Sequence, residues 1–333
     1  MVKKSSFDSS KNGRLALLAG ILITLAGCAK VDRAKLAPSG SGKLQVVATT
    51  GPVGDAVRRI GGDRLEVEVM MGPGVDPHLY RAIPSDLRRL DAAKIIVHNG
   101  LHLEGRMAET FERLAGKKTV IALADGLVAA KDKRLLAPPE FEGHYDPHVW
   151  HDVAMWSECI GYLADELAKA DPNGAENYRA NAAAYSAELA ALDSQVRAAT
   201  ATIPENARYL VTAHDAFAYF SQAYGLESVG LKGVSTEDEI AIGRMDEVVK
   251  LIVENKIPAV FVETAVAPRV VEALVEPCAA AGHTVRCDAK LELYADALGP
   301  IGSGADSYAG MIRANVRTIV GALGGNAEQL AAE

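Results

Sequence analysis

Apolar positions along this chain fall into two alternating kinds of run. Short stretches rich in Val, Ile and Leu occupy residues 44–50, 65–72, 94–100 and 118–125, and a second set occupies 208–213, 228–234, 259–263 and 284–287. Between them, apolar residues recur at the spacing of helices with one buried face. Each half of the chain therefore predicts four βα units. Strands separated by helix-length segments favour parallel sheets covered by helices. The predicted fold is α/β, with two similar lobes, each a mostly parallel four-stranded sheet flanked by helices.

One segment belongs to neither set. Residues 172–203 are rich in alanine, carry Tyr178, Tyr185, Leu189, Leu192 and Val196 on a single stripe, and lie between Pro172 and Pro204. Proline suits a helix start and cannot continue a helix beyond its end, so this segment predicts one long backbone helix joining the lobes. A single rigid link leaves less room for wide closure than several extended linkers would.

The N-terminus predicts an address. Lys3, Lys4, Lys11 and Arg14 precede an apolar run over residues 15–26, which ends in Leu25-Ala26-Gly27-Cys28. The run is short for a membrane span, and small residues before a cysteine suit cleavage after lipid is attached to the thiol. Residues 1–28 thus read as a lipoprotein signal peptide and lipobox, with Cys28 as the lipidated N-terminus. The expected order continues with a tether over 29–43, an N-terminal lobe over 44–171, the linking helix over 172–203 and a C-terminal lobe over 204–333. Of the remaining cysteines, Cys278 and Cys287 close a loop short enough for a disulfide, whereas Cys159 reads as a buried free thiol. A net charge of −8 with mixed signs gives no hint of nucleic acid. The expectation is a monomer held at the membrane by its lipid, facing the periplasm or the cell exterior.

The chemistry lies in histidines. His78 stands in Asp76-Pro77-His78-Leu79-Tyr80, His148 in Asp146-Pro147-His148-Val149-Trp150, and His214 in Thr212-Ala213-His214-Asp215-Ala216-Phe217. Neutral imidazole is a common ligand of first-row metals, and a neighbouring proline restricts the backbone that presents it. His78 and His214 follow predicted strands, so both belong at strand C-terminal ends, where open parallel sheets bind their ligands. A fourth donor should come from the second half, and two aspartates compete. Asp306 precedes a helical pattern, which suits an N-cap, and Asp296 sits in a loop without that explanation. Residue chemistry favours Asp296 slightly and leaves the choice open. Glu104 and Glu263, near strand ends, could orient a histidine or lock the lobes. Glu237, Asp238 and Glu239 read as the acidic first turn of a helix.

With these motifs assembled, the chain resembles the solute-binding lipoproteins of manganese, zinc and iron ABC importers, the cluster A-I family. The resemblance runs from Leu44 to about Leu323, and it is also carried by Asn99-Gly100-Leu101-His102-Leu103-Glu104, Gly233-Val234-Ser235-Thr236 and Asp296-Ala297-Leu298-Gly299. It implies two lobes with the metal between them, His78, His148, His214 and Asp296 as ligands, and an ABC transporter permease as partner. Members dedicated to zinc often carry a histidine-rich loop before the second Asp-Pro-His, whereas residues 127–147 here hold only His144. His151 and His98 replace residues that are usually apolar or aromatic, and both read as structural. His144 reads as a loop residue, His102 as structural or supporting, and His283 as a turn residue.

The function so implied is capture of Zn2+ or Mn2+, with Fe2+ as a third cargo, by a non-enzymatic receptor. The rival readings are an envelope zinc metallohydrolase and a metal-carrying adhesin lipoprotein. A hydrolase would need an open coordination position and a general base, and no His-Glu-x-x-His motif supplies one. The Irving–Williams order makes zinc the tighter ligand in vitro whichever metal the cell loads, so affinity alone cannot name the cargo.

Overall fold

The computed structural model describes residues 42–330 apart from residue 142. Cys28, the apolar run before it and most of the tether lie outside the described residues. Among the described residues, no helix is long and apolar enough to cross a membrane.

The first lobe is built from β1 (Leu44–Ala48), α1 (Gly51–Gly61), β2 (Leu65–Val69), α2 (Pro84–Ala92), β3 (Ile95–His98), α3 (Ala108–Ala115), β4 (Thr119–Ala122) and α4 (Asp125–Ala129). Its four strands are parallel in the order β2-β1-β3-β4, with Val46 paired to Val67 on one side and to Ile95 on the other. The sheet is buried on both faces, which is why β1 and β3 read as nearly continuous apolar runs. The strand order reverses between β1 and β3, since β2 lies on one side of β1 and β3 on the other, and such a switch point is where open parallel sheets leave a crevice beyond their strand C-terminal ends.

Two long helices follow, α5 (Val153–Ala170) and α6 (Ala175–Thr200). Asp152 caps α5 by accepting from Ala154 N and Met155 N. A short 3-10 turn at Pro172–Gly174 precedes α6, so the linking helix starts slightly later than the proline suggests. The predicted stripe is its buried face: Tyr178, Tyr185, Leu189, Leu192 and Val196 are all buried. That face packs along α1 and α5 of the first lobe and α7 and α11 of the second.

The second lobe contains β5 (Tyr209–Thr212), α7 (Ala218–Tyr224), β6 (Glu227–Gly230), α8 (Arg244–Asn255), β7 (Val262–Glu263), α9 (Arg269–Glu272), α10 (Val275–Ala280), β8 (Glu292–Leu293) and α11 (Tyr308–Ala322). β5 pairs in parallel with β6, and β7 with β8, while Phe261 N donates to Val211 O and brings the two ladders side by side. Two expectations fail here. The eighth strand is not residues 284–287, where only Arg286 forms an isolated bridge to Ala259; it is Glu292–Leu293, because the last strand must end beside Glu263 to extend the sheet. No helix starts at Glu237 either: the chain turns through residues 235–243 and helix α8 begins at Arg244.

One continuous core runs through both lobes, joining Val46 of β1, Ile60 of α1, Trp156 of α5, Leu189 of α6, Phe220 of α7 and Val316 of α11. Two smaller clusters cover the outer faces, one with Leu90 and Phe111, the other with Val248, Ile252 and Cys278. The expected Cys278–Cys287 disulfide is absent: both thiols are free and pack as apolar groups at this second cluster. Cys159 is a free thiol too, fully buried, and burial pushes its pKa up. At Gly51 the lobes approach so closely that a Cβ would stand 2.8 Å from Leu298 Cγ, which only glycine avoids.

Candidate metal centre

Four side chains converge where the strand ends of the two lobes face each other. His214 lies two residues beyond β5, Asp296 just beyond β8, His148 in a 3-10 turn before α5, and His78 in the loop after β2. One donor atom from each of His78, His148, His214 and Asp296 lies within 4.8 Å of all the others. His148 Nε2 stands 3.4 Å from Asp296 Oδ1, His214 Nε2 stands 3.5 Å from Asp296 Oδ2, and His78 Nε2 is 3.3 Å from His148 Nε2. All four residues are buried.

Each of the two histidines at the back of the site has its outer ring nitrogen held by a carboxylate. Asp146 Oδ1 accepts from His148 N at 2.9 Å and pairs with His148 Nδ1 at 2.7 Å, closing an Asx turn and fixing the ring at once. Glu263 accepts from Ala213 N at 2.7 Å and His214 N at 3.0 Å with one oxygen, and pairs with His214 Nδ1 through the other. A carboxylate behind an imidazole fixes its orientation and raises the basicity of the inner nitrogen, the arrangement common at zinc sites.

Asp296 is held through its neighbour: Trp150 Nε1 and His151 Nε2 both lie 3.0 Å from Ala295 O. More bonds join the His148 turn to its surroundings. Tyr219 OH donates to Asp146 O at 2.9 Å, Tyr308 OH to Trp150 O at 2.8 Å, and Asn99 Nδ2 to Pro147 O at 3.0 Å. His148, His214 and Asp296 thus sit in one block to which both lobes contribute.

His78 is presented differently. Its backbone N–H donates to Asp76 Oδ1 at 2.9 Å, but no described carboxylate holds its ring as Asp146 and Glu263 hold the other two. It is also the one residue of the four that lines a cavity of about 400 Å³, a vestibule bordered by His102, Arg106, His144 and Glu237.

The charges follow from these contacts. Burial pulls the His148 pKa down, but the Asp146 carboxylate, with Asp296 behind it, outweighs this and raises it to about 9. Burial likewise opposes the His214 cation, and Glu263 and Asp296 outweigh it, holding the pKa well above the usual value. Asp296 stays ionised: burial favours its neutral form, yet His214 and His148 hold its pKa well below the carboxylate range. His78, by contrast, is driven down to about 3 by burial, with the neighbouring rings adding to the effect.

The donor set fits a cation. His214 Nε2 and both Asp296 oxygens are buried without a hydrogen-bond partner. A buried carboxylate so placed needs positive charge beside it, which the His148 and His214 rings supply while protonated and which a bound cation would supply once it displaced those protons. Three imidazoles and a carboxylate suit zinc and other first-row divalent metals.

The remaining candidates lie elsewhere. Asp306 is on the exposed loop before α11, where its Oδ2 accepts from Gly302 N at 2.7 Å; the cap of α11 is the next residue, Ser307, which accepts from Gly310 N. Glu104 does not face a ligand histidine: it accepts from Thr49 Oγ1 at 2.6 Å and Asn99 N at 3.0 Å, tying the ends of β1 and β3. His98 stacks on Phe111, His283 Nε2 meets Ile257 O at 2.8 Å, and His102 stacks on His144 at the vestibule. Sequence reasoning missed the part played by Asp146, although an aspartate two residues before a histidine is the spacing of an Asx turn. It also missed the Ala295 carbonyl, which no side-chain pattern could reveal.

Comparison with known proteins places this architecture. Residues 46–322 match the family model of the zinc-uptake complex component A, periplasmic. The manganese-binding lipoprotein MntA of Bacillus subtilis (strain 168) is 39% identical over 93% of this chain and 99% of its own length. Among solved structures, the periplasmic zinc-binding protein TroA of Treponema pallidum is similar with a TM-score of 0.79 at 40% identity, covering 85% of this chain and 99% of that one. Fe(III)-bound YtgA of Chlamydia trachomatis follows with a TM-score of 0.77 at 30% identity, covering 85% and 99%.

Proposed function

The chain belongs to the zinc-uptake complex component A family of metal-binding solute-binding proteins, and from that premise we propose that His78, His148, His214 and Asp296 are the ligands that take up its cargo. The protein is an extracytoplasmic metal-binding receptor of the ABC-importer class, a binding protein rather than an enzyme. Its buried cluster is consistent with a divalent metal such as Zn2+ or Mn2+. The observation that carries the ligand assignment is the pair of unpartnered Asp296 oxygens facing three imidazoles.

Relatives named for manganese and zinc, and one solved with Fe(III), stand at comparable similarity, so the likeness does not choose among cargoes. A receptor fills all coordination positions with its own side chains, where a catalytic metal would keep one open for water. The cargo then passes to the permease of the same importer, and an N-terminal lipid on Cys28 keeps the receptor at the membrane; both statements extend what family membership implies.

Calorimetric titration with zinc tests the ligand set. The parent should bind tightly, and His214→Ala should bind at least roughly 100-fold more weakly, since even an outer-shell partner is worth 10–100-fold. An unchanged affinity in His214→Ala would remove it from the site. Metal content of protein taken from its native envelope, set beside growth of a deletion strain under zinc or manganese starvation, would name the cargo.

A further inference from the structure

The least supported of the four groups, His78, is tied to the opposite lobe through a half-buried hydrogen bond made by Asp76. Asp76 uses one oxygen, Oδ1, to accept from His78 N at 2.9 Å and Leu79 N at 3.3 Å, which shapes the turn that presents the ring. Its other oxygen, Oδ2, accepts from Thr236 Oγ1 at 2.6 Å, and Thr236 belongs to the second lobe. We propose that Thr236 is a positioning residue for metal retention: by holding Asp76 it keeps the His78 turn closed over the cargo, and breaking this bond is the step that lets His78 swing into the vestibule.

Four observations carry this. Thr236 is only 5% exposed, so the donor side of this bond is turned away from water while its acceptor, Asp76, is half-buried. The neighbouring cross-lobe contact is weaker: Arg106 pairs with Glu237 and reaches Leu79 O at 3.4 Å, but this pair is solvent-exposed, and exposed ion pairs contribute about 0–1 kcal/mol. The other histidines need no such clamp, because Asp146 and Glu263 hold their rings directly. The vestibule beside His78 also supplies the space into which a released ring can move.

The proposal rests on the assignment of His78 as a ligand, and the experiment separates the two. Zinc-loaded parent, Thr236→Val, Thr236→Ser, His78→Ala and the His78→Ala/Thr236→Val double variant are mixed with excess chelator and the rate of zinc release is followed. Thr236→Val should release zinc about 10-fold faster, the loss expected for one charge-assisted hydrogen bond acting on the off-rate. Thr236→Ser should release it at close to the parental rate. In the His78→Ala background, Thr236→Val should add nothing, whereas a merely structural role would accelerate release there as well. Should Thr236→Val not fold, Thr236→Ala carries the same comparison. Parental release by a folded Thr236→Val, or an equal acceleration with and without His78, would overturn the clamp. His78→Ala binding zinc like the parent would instead overturn the ligand assignment on which the clamp stands.

Discussion

The chain uses Asp-Pro-His twice, and the two copies are built into the site in opposite ways. In the second copy the aspartate turns inward: Asp146 holds both the backbone and the ring of its own histidine, and Tyr219, Tyr308 and Asn99 fasten the turn to both lobes. In the first copy the aspartate turns outward: Asp76 shapes the backbone at His78 and spends its second oxygen on Thr236 across the cleft. The same three residues therefore make one fixed wall and one movable door. A single continuous core along α6 makes wide separation of the lobes costly, so a local motion at the weakly held copy is the cheaper route for cargo.

The largest effect should come from removing a histidine of each copy and comparing what else breaks. His148→Ala strands the buried Asp146 carboxylate, so the metal-free protein should lose about 3 kcal/mol of stability as well as most of its zinc affinity. His78→Ala should weaken zinc binding while leaving the melting temperature of the metal-free protein nearly unchanged, because the ring carries no charge and no partner carboxylate. Denaturant unfolding of the two metal-free variants checks this, and equal losses of stability would erase the distinction.

A smaller effect is expected from the carboxylate behind a wall histidine. Glu263→Gln keeps the size of the side chain and removes its charge, so zinc affinity should fall 10–100-fold, the usual range for an outer-shell partner. Calorimetry reads the change, and parental affinity would mean that Glu263 serves only the fold.

Proton release gives a further contrast. His148, raised to about 9, and His214, held well above its usual value, carry protons at pH 7 in the metal-free site, whereas His78, lowered to about 3, does not. A metal must displace the protons it finds, so zinc binding at pH 7 should release about two, and apparent affinity should rise with pH until both His148 and His214 are deprotonated on their own. Titration in buffers of different ionisation enthalpy counts them. His78→Ala should still release about two, and a loss of one there would assign a proton to the wrong copy.

The smallest effect lies outside both copies. Ser307→Ala removes the cap of α11 and should cost about 1 kcal/mol, with zinc binding unchanged. Asp306→Ala, which removes a brace to Gly302 on an exposed loop, should cost less. Thermal unfolding of the pair orders them.

Much of this was legible without coordinates, and the reason is local. The parallel strands of the first lobe, the long helix α6 and its buried stripe follow from apolar periodicity, because a buried strand and a half-buried helix each impose their own spacing. The second lobe was less legible: its last strand is only Glu292–Leu293, too short to leave a pattern, and the acidic run at Glu237–Glu239 resembles a helix start but serves a turn and a pair with Arg106. Candidate donors were legible as residue types beside prolines and strand ends. Between Asp296 and Asp306 residue chemistry gave only a slight preference, since the one argument was that Asp306 precedes a helical pattern and Asp296 does not.

The sequence by itself determined the strands and helices of the first lobe, the long helix α6 and which side chains can hold a metal, because those properties depend on a residue and its near neighbours. Only the tertiary structure decided that Asp146 and Asp76 play different parts in identical motifs, that Trp150 and His151 share the Ala295 carbonyl, and that Thr236 meets Asp76 across the cleft. The bonds to the Ala295 carbonyl and between Thr236 and Asp76 join residues 144 to 160 positions apart in the chain, and a hydrogen bond over such a separation exists only once packing has brought its two ends together.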